Sequence, residues 1–323
     1  MFVEFGVVGL LEKMLRPLMK PIFNLPGVAS LGAVMTFLSD NPAIITLSKD
    51  VSFAKYFKKY QLVSLTNFGT AFGMGLVVMC VMVSYGYGSS AMVGLFGAFC
   101  GCIISTRLMQ FFTLKAYPEL DAPALTEEEI AEVEKTDEDN VAEDAKKEHK
   151  EGPFLRVLDA VLDGGKDGVM IGAAIVPGVL VISTVVMMLT FGPADPSVGY
   201  AGAAYEGWPA IPWLAGKIDF VFEWLFGFNA PELIAFPITA LGAVGAALGL
   251  IPGFIQAGVI DANAIAVFTA MGMCWSGYLS THTAMLDSMG YRKLISKAIL
   301  SHTIAGLCAG IIAHWTMVLV QLF

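Results

Sequence analysis

Charged side chains are scarce in this sequence. Asp, Glu, Lys and Arg make up 15% of its 323 residues, against 56% hydrophobic ones. Soluble domains average about a quarter charged residues, so an ordinary water-soluble enzyme is excluded. A disordered chain is excluded for the same reason, since disorder needs few apolar side chains and many charges. Cysteine is sparse and unpatterned. Cys80, Cys100, Cys102, Cys274 and Cys308 all lie in apolar segments, without the spacing of a disulfide framework or a zinc site. The apolar segments also lack HExxH, Ser-His-Asp and paired-carboxylate patterns, so the chain is not read as an enzyme. Glu4, Glu12 and Lys13 interrupt the first apolar stretch, so no signal peptide is expected.

Excess positive charge is lacking too. The net charge is −9, which excludes a nucleic-acid partner. That charge is local: residues 119–151 hold 14 of the 28 acidic and 4 of the 19 basic side chains. The remainder is nearly neutral, with a mean hydropathy for the chain of +0.70. This is the pattern of a membrane protein with one acidic soluble insert.

A bilayer crossing needs about 20 apolar residues. Five stretches qualify: 62–84, 89–112, 168–191, 263–283 and 297–321. Two other apolar segments are interrupted. Val28 to Ser39 reaches only about 18 Å as a helix. There Asn41 can cap, and Pro42 can start, a second helix. The second segment runs from Leu241 and is interrupted before Pro252. Both read as re-entrant helical hairpins, with a single kinked crossing as the competing reading for the first.

The two segments share a pattern. Leu31-Gly32-Ala33-Val34 precedes Pro42 as Leu241-Gly242-Ala243-Val244 precedes Pro252, and Pro21, Pro26 and Glu12 match Pro231, Pro237 and Glu223. Two long apolar helices follow each copy, which reads as an internal repeat. If both segments are hairpins, every Lys and Arg cluster outside the acidic insert falls on one face and only Lys217 on the other. The positive-inside rule puts that face in the cytoplasm. The helix at 168–191 then makes the repeats inverted. The expected fold is an all-α integral membrane protein of about five transmembrane helices and two re-entrant hairpins. Its divisions are a first repeat (1–116), an acidic cytoplasmic linker (117–152), a connecting helix with an outer loop (153–216) and a second repeat (217–323). Residues 5–23 read as an amphipathic interfacial helix bent at Pro17 and Pro21.

Inverted repeats with broken helices are the design of secondary transporters, which bind solute and ion where the repeats meet. Asp40 is the most informative residue. A carboxylate near mid-membrane costs about 2.5–3.5 kcal/mol on insertion scales, and two readings stand open: a helix cap, or a group coupled to protons or sodium. Asn41 belongs to the same break. Thr66, Asn67 and Thr70 on the next helix are expected to contact solute or ion, and Thr269, Trp275 and Ser276 take the corresponding place in the second copy. His302 and His314 are expected to be hydrogen-bonded structural residues; His282 and Thr283 sit at a helix end. Gly97-x-x-x-Gly101 and Gly306-x-x-x-Gly310 read as helix contacts.

The run Leu11-Glu12, Leu15, Pro17, Pro21, Phe23, Leu25-Pro26-Gly27, Gly32 and Asp40-Asn41-Pro42 resembles the nucleoside-recognition gate domain of bacterial membrane proteins. That family includes concentrative nucleoside transporters, ferrous-iron permeases, spore-maturation proteins and an uncharacterised group, to which this chain is most similar. The resemblance implies a bacterial inner-membrane protein with hairpins at a transport site. It further implies a small polar solute such as a nucleoside, and a sodium or proton gradient, sodium being the only candidate bound ion besides the proton. The chain has no Gly-x-x-x-x-Gly-Lys-Ser/Thr motif, so it departs from the GTPase-bearing iron permeases. The spore-maturation group implies the alternative, a non-transporting membrane partner or homo-oligomer for which the acidic linker is a docking element.

Overall fold

The computed structural model describes residues 7–39, 41, 43–127, 129, 155, 158, 161–162, 165–166, 169, 184–185, 188–189, 192–193, 197–202, 206–217 and 219–322. Asp40, Pro42, most of the acidic linker and most of the expected helix at 168–191 lie outside these. Among the described residues the chain is all-helical, without a strand.

The first half opens with α1 (Val7–Leu18), which runs into a π-helical turn over Met19–Phe23. Pro21 has no N–H to offer an α-helical ladder, and a wider turn accommodates it. Asn24 ends the segment at φ 54°, a left-handed conformation that Asn tolerates better than most residues. Then follow α2 (Ala29–Leu38), α3 (Ala43–Lys49), α4 (Val51–Ala54), α5 (Lys59–Thr70), α6 (Gly75–Ser84) and the 29-residue α7 (Gly88–Ala116). The second half holds α8 (Ala210–Ala215), α9 (Asp219–Phe226), a 3-10 turn at Pro231–Ile234 and α10 (Ala235–Gly242). It continues through α11 (Val244–Leu248), α12 (Ile251–Ala257), α13 (Ala262–Cys274) and α14 (Tyr278–Ser288), then a 3-10 turn at Arg292–Leu294 and α15 (Ile295–Gln321).

Among the described residues three segments are long and apolar enough to cross a membrane: Lys59–Ser84, Gly88–Ala116 and Arg292–Gln321. Asp219–Phe226 and Pro231–Gly242, bent by 72°, make a fourth if taken as one span. Of the five expected crossings, 62–84, 89–112 and 297–321 fall in these three and 168–191 lies largely outside the described residues, while a break interrupts 263–283 much as one at Met74 interrupts Lys59–Ser84. The 263–283 run is split into α13 and α14, of 13 and 11 residues, by a break at Trp275–Gly277. Gly277 sits at φ 65°, which no continuous right-handed helix contains. Apolar residues flank the break on both sides, so hydropathy does not reveal it.

The two longest helices carry the membrane signature inside out. On α7 the buried face is small or polar, with Gly94, Gly97, Gly101, Ser105 and Gln110, while Met92, Phe96 and Phe111 are exposed. On α15, Ala305, Gly306, Ala309 and Gly310 face inward, and Leu300, Leu307 and Leu319 outward. Small residues let backbones approach where no water drives association. A Cβ on Gly97 would lie 2.8 Å from the Ala309 carbonyl, and one on Gly310 2.6 Å from Met271 Sδ. Both small-residue motifs are therefore helix contacts.

Three segments of the first half have counterparts of similar length and order in the second. Lys59–Thr70 corresponds to Ala262–Cys274, Gly75–Ser84 to Tyr278–Ser288, and Gly88–Ala116 to Arg292–Gln321, a spacing of 203–205 residues. Left-handed residues recur at that spacing: Asn24 and Gly227, Met74 and Gly277, Gly86 and Gly290. This spacing corrects the alignment expected from Leu31 and Leu241, which are 210 apart. Leu31–Val34 lies inside α2, whereas Leu241–Val244 straddles the end of α10. The second interrupted segment accordingly breaks at Ala243, in extended conformation at φ −164°, and again at Gly249–Leu250. Pro252 lies inside the first turn of α12.

Candidate functional site

Four helix ends meet in one place. The α2–α3 break supplies Asn41, fully buried, whose side-chain Nδ2 donates to the Ser276 carbonyl at 2.6 Å. Ser276 belongs to the α13–α14 break. The α5–α6 break supplies Gly73: a Cβ there would collide with Asn41 Oδ1 and lie 3.0 Å from Ser276 Oγ. Met74 follows at φ 54°, a conformation costing a non-glycine residue about 1–2 kcal/mol. The α10–α11 break closes the ring, with the Gly277 N–H donating to the Ala240 carbonyl at 2.9 Å. Each break leaves N–H and C=O groups without helical partners; here most of the N–H groups bond within their own turn, the Gly277 N–H reaches α10, and the Ser276 carbonyl is met across the halves by the Asn41 side chain.

The expected site residues divide between this junction and the helix packing behind it. Asn41 and Ser276 are at the junction. Thr70 lies one turn before it, its carbonyl accepting from Gly73 N–H and its buried hydroxyl without a partner among the described residues. Trp275 packs its indole on Gly306 and donates Nε1–H to the His302 carbonyl at 3.4 Å. Thr66, Asn67 and Thr269 are elsewhere. Asn67 Nδ2 lies 2.9 Å from both Ser105 Oγ and Ser301 Oγ and 3.2 Å from the Ala298 carbonyl, tying α5 to α7 and α15. Thr66 Oγ donates to the Val63 carbonyl and Thr269 Oγ to the Ile265 carbonyl, and Thr269 also packs against Gly94. These hydroxyls and the Asn67 amide are occupied by protein. Asp40 lies outside the described residues.

Behind the junction, α15 grips the α13–α14 break. His302 donates Nε2–H to the Cys274 carbonyl, the last of α13. A carbonyl can only accept, so Nε2 carries the proton and Nδ1 accepts from Ser105 Oγ at 2.6 Å. Tyr278 Oη pairs with Thr303 Oγ at 2.6 Å. His302 is thus the hydrogen-bonded residue expected of it. His314 is as well, with Nδ1–H donating to Asn263 Oδ1 at 2.8 Å. His282, at a helix end in the sequence, is fully buried in the structure.

Two polar clamps recur at the same 203–204 spacing, and their composition was not legible in the sequence. In the first half Gln110 Nε2 donates to the Phe23 carbonyl at 3.0 Å, and Asn24 Nδ2 reaches Tyr60 Oη and Gln110 Oε1, both at 3.2 Å. In the second, Asn263 Nδ2 donates to the Phe226 carbonyl at 2.8 Å and His314 holds Asn263. Phe23, Asn24, Tyr60 and Gln110 are replaced by Phe226, Gly227, Asn263 and His314. The side chains differ and the task, holding a left-handed turn against a long helix, does not.

A cavity of about 220 Å³ opens at the bend after α9, lined by Asp219, Glu223, Asn229 and Pro231 among others. Among the described residues no group of three or more His, Cys, Asp or Glu side chains is placed to hold a metal ion. Compared with protein-family models, curated proteins and solved structures, the chain matches none.

Proposed function

We propose that this chain is a cation-coupled transporter of a small polar solute such as a nucleoside, working in a bacterial inner membrane. Its solute path runs through the junction of the four helix breaks. The breaks belong to two copies of one unit, oppositely oriented in the membrane, each with a half-crossing segment. The observation that carries this reading is the Asn41 side-chain bond to Ser276, which joins a break in one half to a break in the other. Irregular backbone at membrane depth is tolerated only where protein buries it or a water-filled cavity lines it. Broken helices also aim N–H dipoles and carbonyls at solute and ion. The matched left-handed residues at 203–204 spacing support the duplication, and the resemblance to gate-domain proteins supports the class of activity. Counterflow of labelled nucleosides, amino acids and organic acids in proteoliposomes, with sodium or proton gradients imposed, tests it. Folded protein that exchanges no candidate solute would overturn it.

A further inference from the structure

His282 has no part in the contacts described so far. It lies on α14 five residues past the Gly277 turn, fully buried, and neither ring nitrogen has a hydrogen-bond partner among the described residues. Its ring centroid is 4.6 Å from that of His302 and 5.7 Å from that of Tyr278. Tyr278 and His302, with Trp275, are the side chains that join α15 to the α13–α14 break. Leaving a buried polar group unpaired costs about 1–3 kcal/mol, so two bare nitrogens at this place call for a reason.

The neighbours exclude a simple ion pair. His302 has both nitrogens committed, to Cys274 and Ser105. On α14 itself the other titratable groups are Tyr278, bonded to Thr303, and Asp287, exposed and 3.8 Å from Arg292 Nε. Around it, α10 carries no titratable residue, α5 only Lys59 and Tyr60 in its first turn, and α3 only Lys49. On α15 and the turn before it, Lys293 and Lys297 lie over the Tyr117 ring. No carboxylate among these faces the imidazole. A proton on His282 therefore has no counter-charge among the described residues, and a buried charge without a partner is costly. The charged form is favoured only where the ring reaches water. A ligand shifts a conformational equilibrium by its differential affinity for the two states.

We propose that His282 is a proton-binding site whose occupation opens the junction of helix breaks, so that the coupling ion of the transporter is the proton. This rests on the transport reading for its purpose, though not for its test. Protonation places a cation against the His302 ring, and solvating that cation requires α14 to part from the 302–303 turn. That movement loosens the Cys274, Trp275 and Tyr278 contacts together and frees Ser276 from Asn41.

The test reads opening rather than uptake. Ser276→Cys is labelled with a thiol reagent in a chain whose other accessible cysteines are replaced by serine. Its rate is divided by that of the exposed Tyr56→Cys, measured in parallel, so that the reagent's own pH dependence cancels. The expected result is a relative rate rising about tenfold or more from pH 8 to pH 5, the range over which an imidazole titrates. The rise should be absent in His282→Gln and His282→Asn and present in His314→Gln. A flat profile with His282 intact, or a rise that persists in both variants, overturns the proposal. Should neither variant fold, ¹⁵N-imidazole NMR of the chain with His282 replaces them. One histidine ring titrating with the labelling supports the proposal, and none doing so overturns it. Opening that depends on His282 without uptake of any solute removes transport and keeps the switch. Uptake with flat labelling does the reverse.

Discussion

Asn41 and Ser276, 235 positions apart in the chain, are joined by a 2.6 Å hydrogen bond from a side-chain amide to a main-chain carbonyl. Each lies in a helix break of its own half, and Gly73, from a third, has no room for a side chain between them. Asn41→Ala removes the donor and leaves the Ser276 carbonyl buried without it. It should lower stability by about 1–3 kcal/mol, read as a fall in thermal midpoint, and should weaken solute binding. An unchanged midpoint and affinity would remove Asn41 from the junction.

Gly73→Ala and Gly253→Ala form a contrasting pair. The first puts a methyl group on Asn41 Oδ1 and should destabilise by about 1–3 kcal/mol, the usual cost of overpacking. The second, on α12 with nothing within 4 Å, should be neutral or stabilise by up to about 1 kcal/mol through reduced chain entropy. Chemical or thermal unfolding of both proteins in one detergent measures the difference, and equal effects would contradict the crowding at Gly73.

Asn67 separates a structural from a solute-binding role. Its amide ties α5 to α7 and α15 through Ser105, Ser301 and Ala298. Asn67→Ala should cost about 2–4 kcal/mol, because several buried groups lose their partner together. Protein that still folds should bind solute with the affinity of the parent chain. A large affinity loss without a stability loss would restore Asn67 to the solute site, where the sequence alone had put it.

The acidic linker begins from a fixed point. Lys59 N–H donates to the Ala122 carbonyl and Ala124 N–H to the Phe57 carbonyl, beside a 2.8 Å Lys58–Asp121 bridge. The hydrogen bond and charge of Asp121 raise the Lys58 ammonium above its ordinary value. A raised folded-state value stabilises below the unfolded one and is lost as pH climbs through the folded one, so any contribution disappears only above about pH 10.5. Both side chains are exposed, where such pairs contribute little. Thermal scans from pH 7 to 11 should therefore show a small difference between the parent and Asp121→Asn at neutral pH, vanishing at the alkaline end. A difference that grows with pH would contradict this.

The sequence revealed what depends on composition. Runs of apolar residues located the three long spans, and the small-residue spacings located the contacts between α7, α15 and α13. Asn41 was identified as the residue of a break. Two other breaks were hidden because left-handed residues make them inside uniformly apolar stretches: Met74 carries a bulky side chain that seldom takes that conformation, and Gly277 is one glycine among 34. The register expected from the sequence, Leu31 against Leu241, differs from the 203–205 spacing of the helices. Leu-Gly-Ala-Val recurs easily in packed apolar helices, while the positions that share a task, such as Gln110 and His314, share no chemistry. Thr66, Asn67 and Thr269 were recognised as buried polar residues on the right helices. Which neighbours would take their hydrogens was decided by helices more than 30 residues away in the chain or, for the two threonines, by their own preceding turn.

The transport reading stands on an opposed orientation of the two halves, and nearby positions in each half test it. Tyr56 and Ala257 lie just beyond α4 and at the end of α12, both exposed. In sealed vesicles of known sidedness, Tyr56→Cys and Ala257→Cys are each treated with a membrane-impermeant thiol reagent, after replacement of the other accessible cysteines. Labelling of the two from opposite compartments is the predicted result; labelling of both from one compartment would contradict the account.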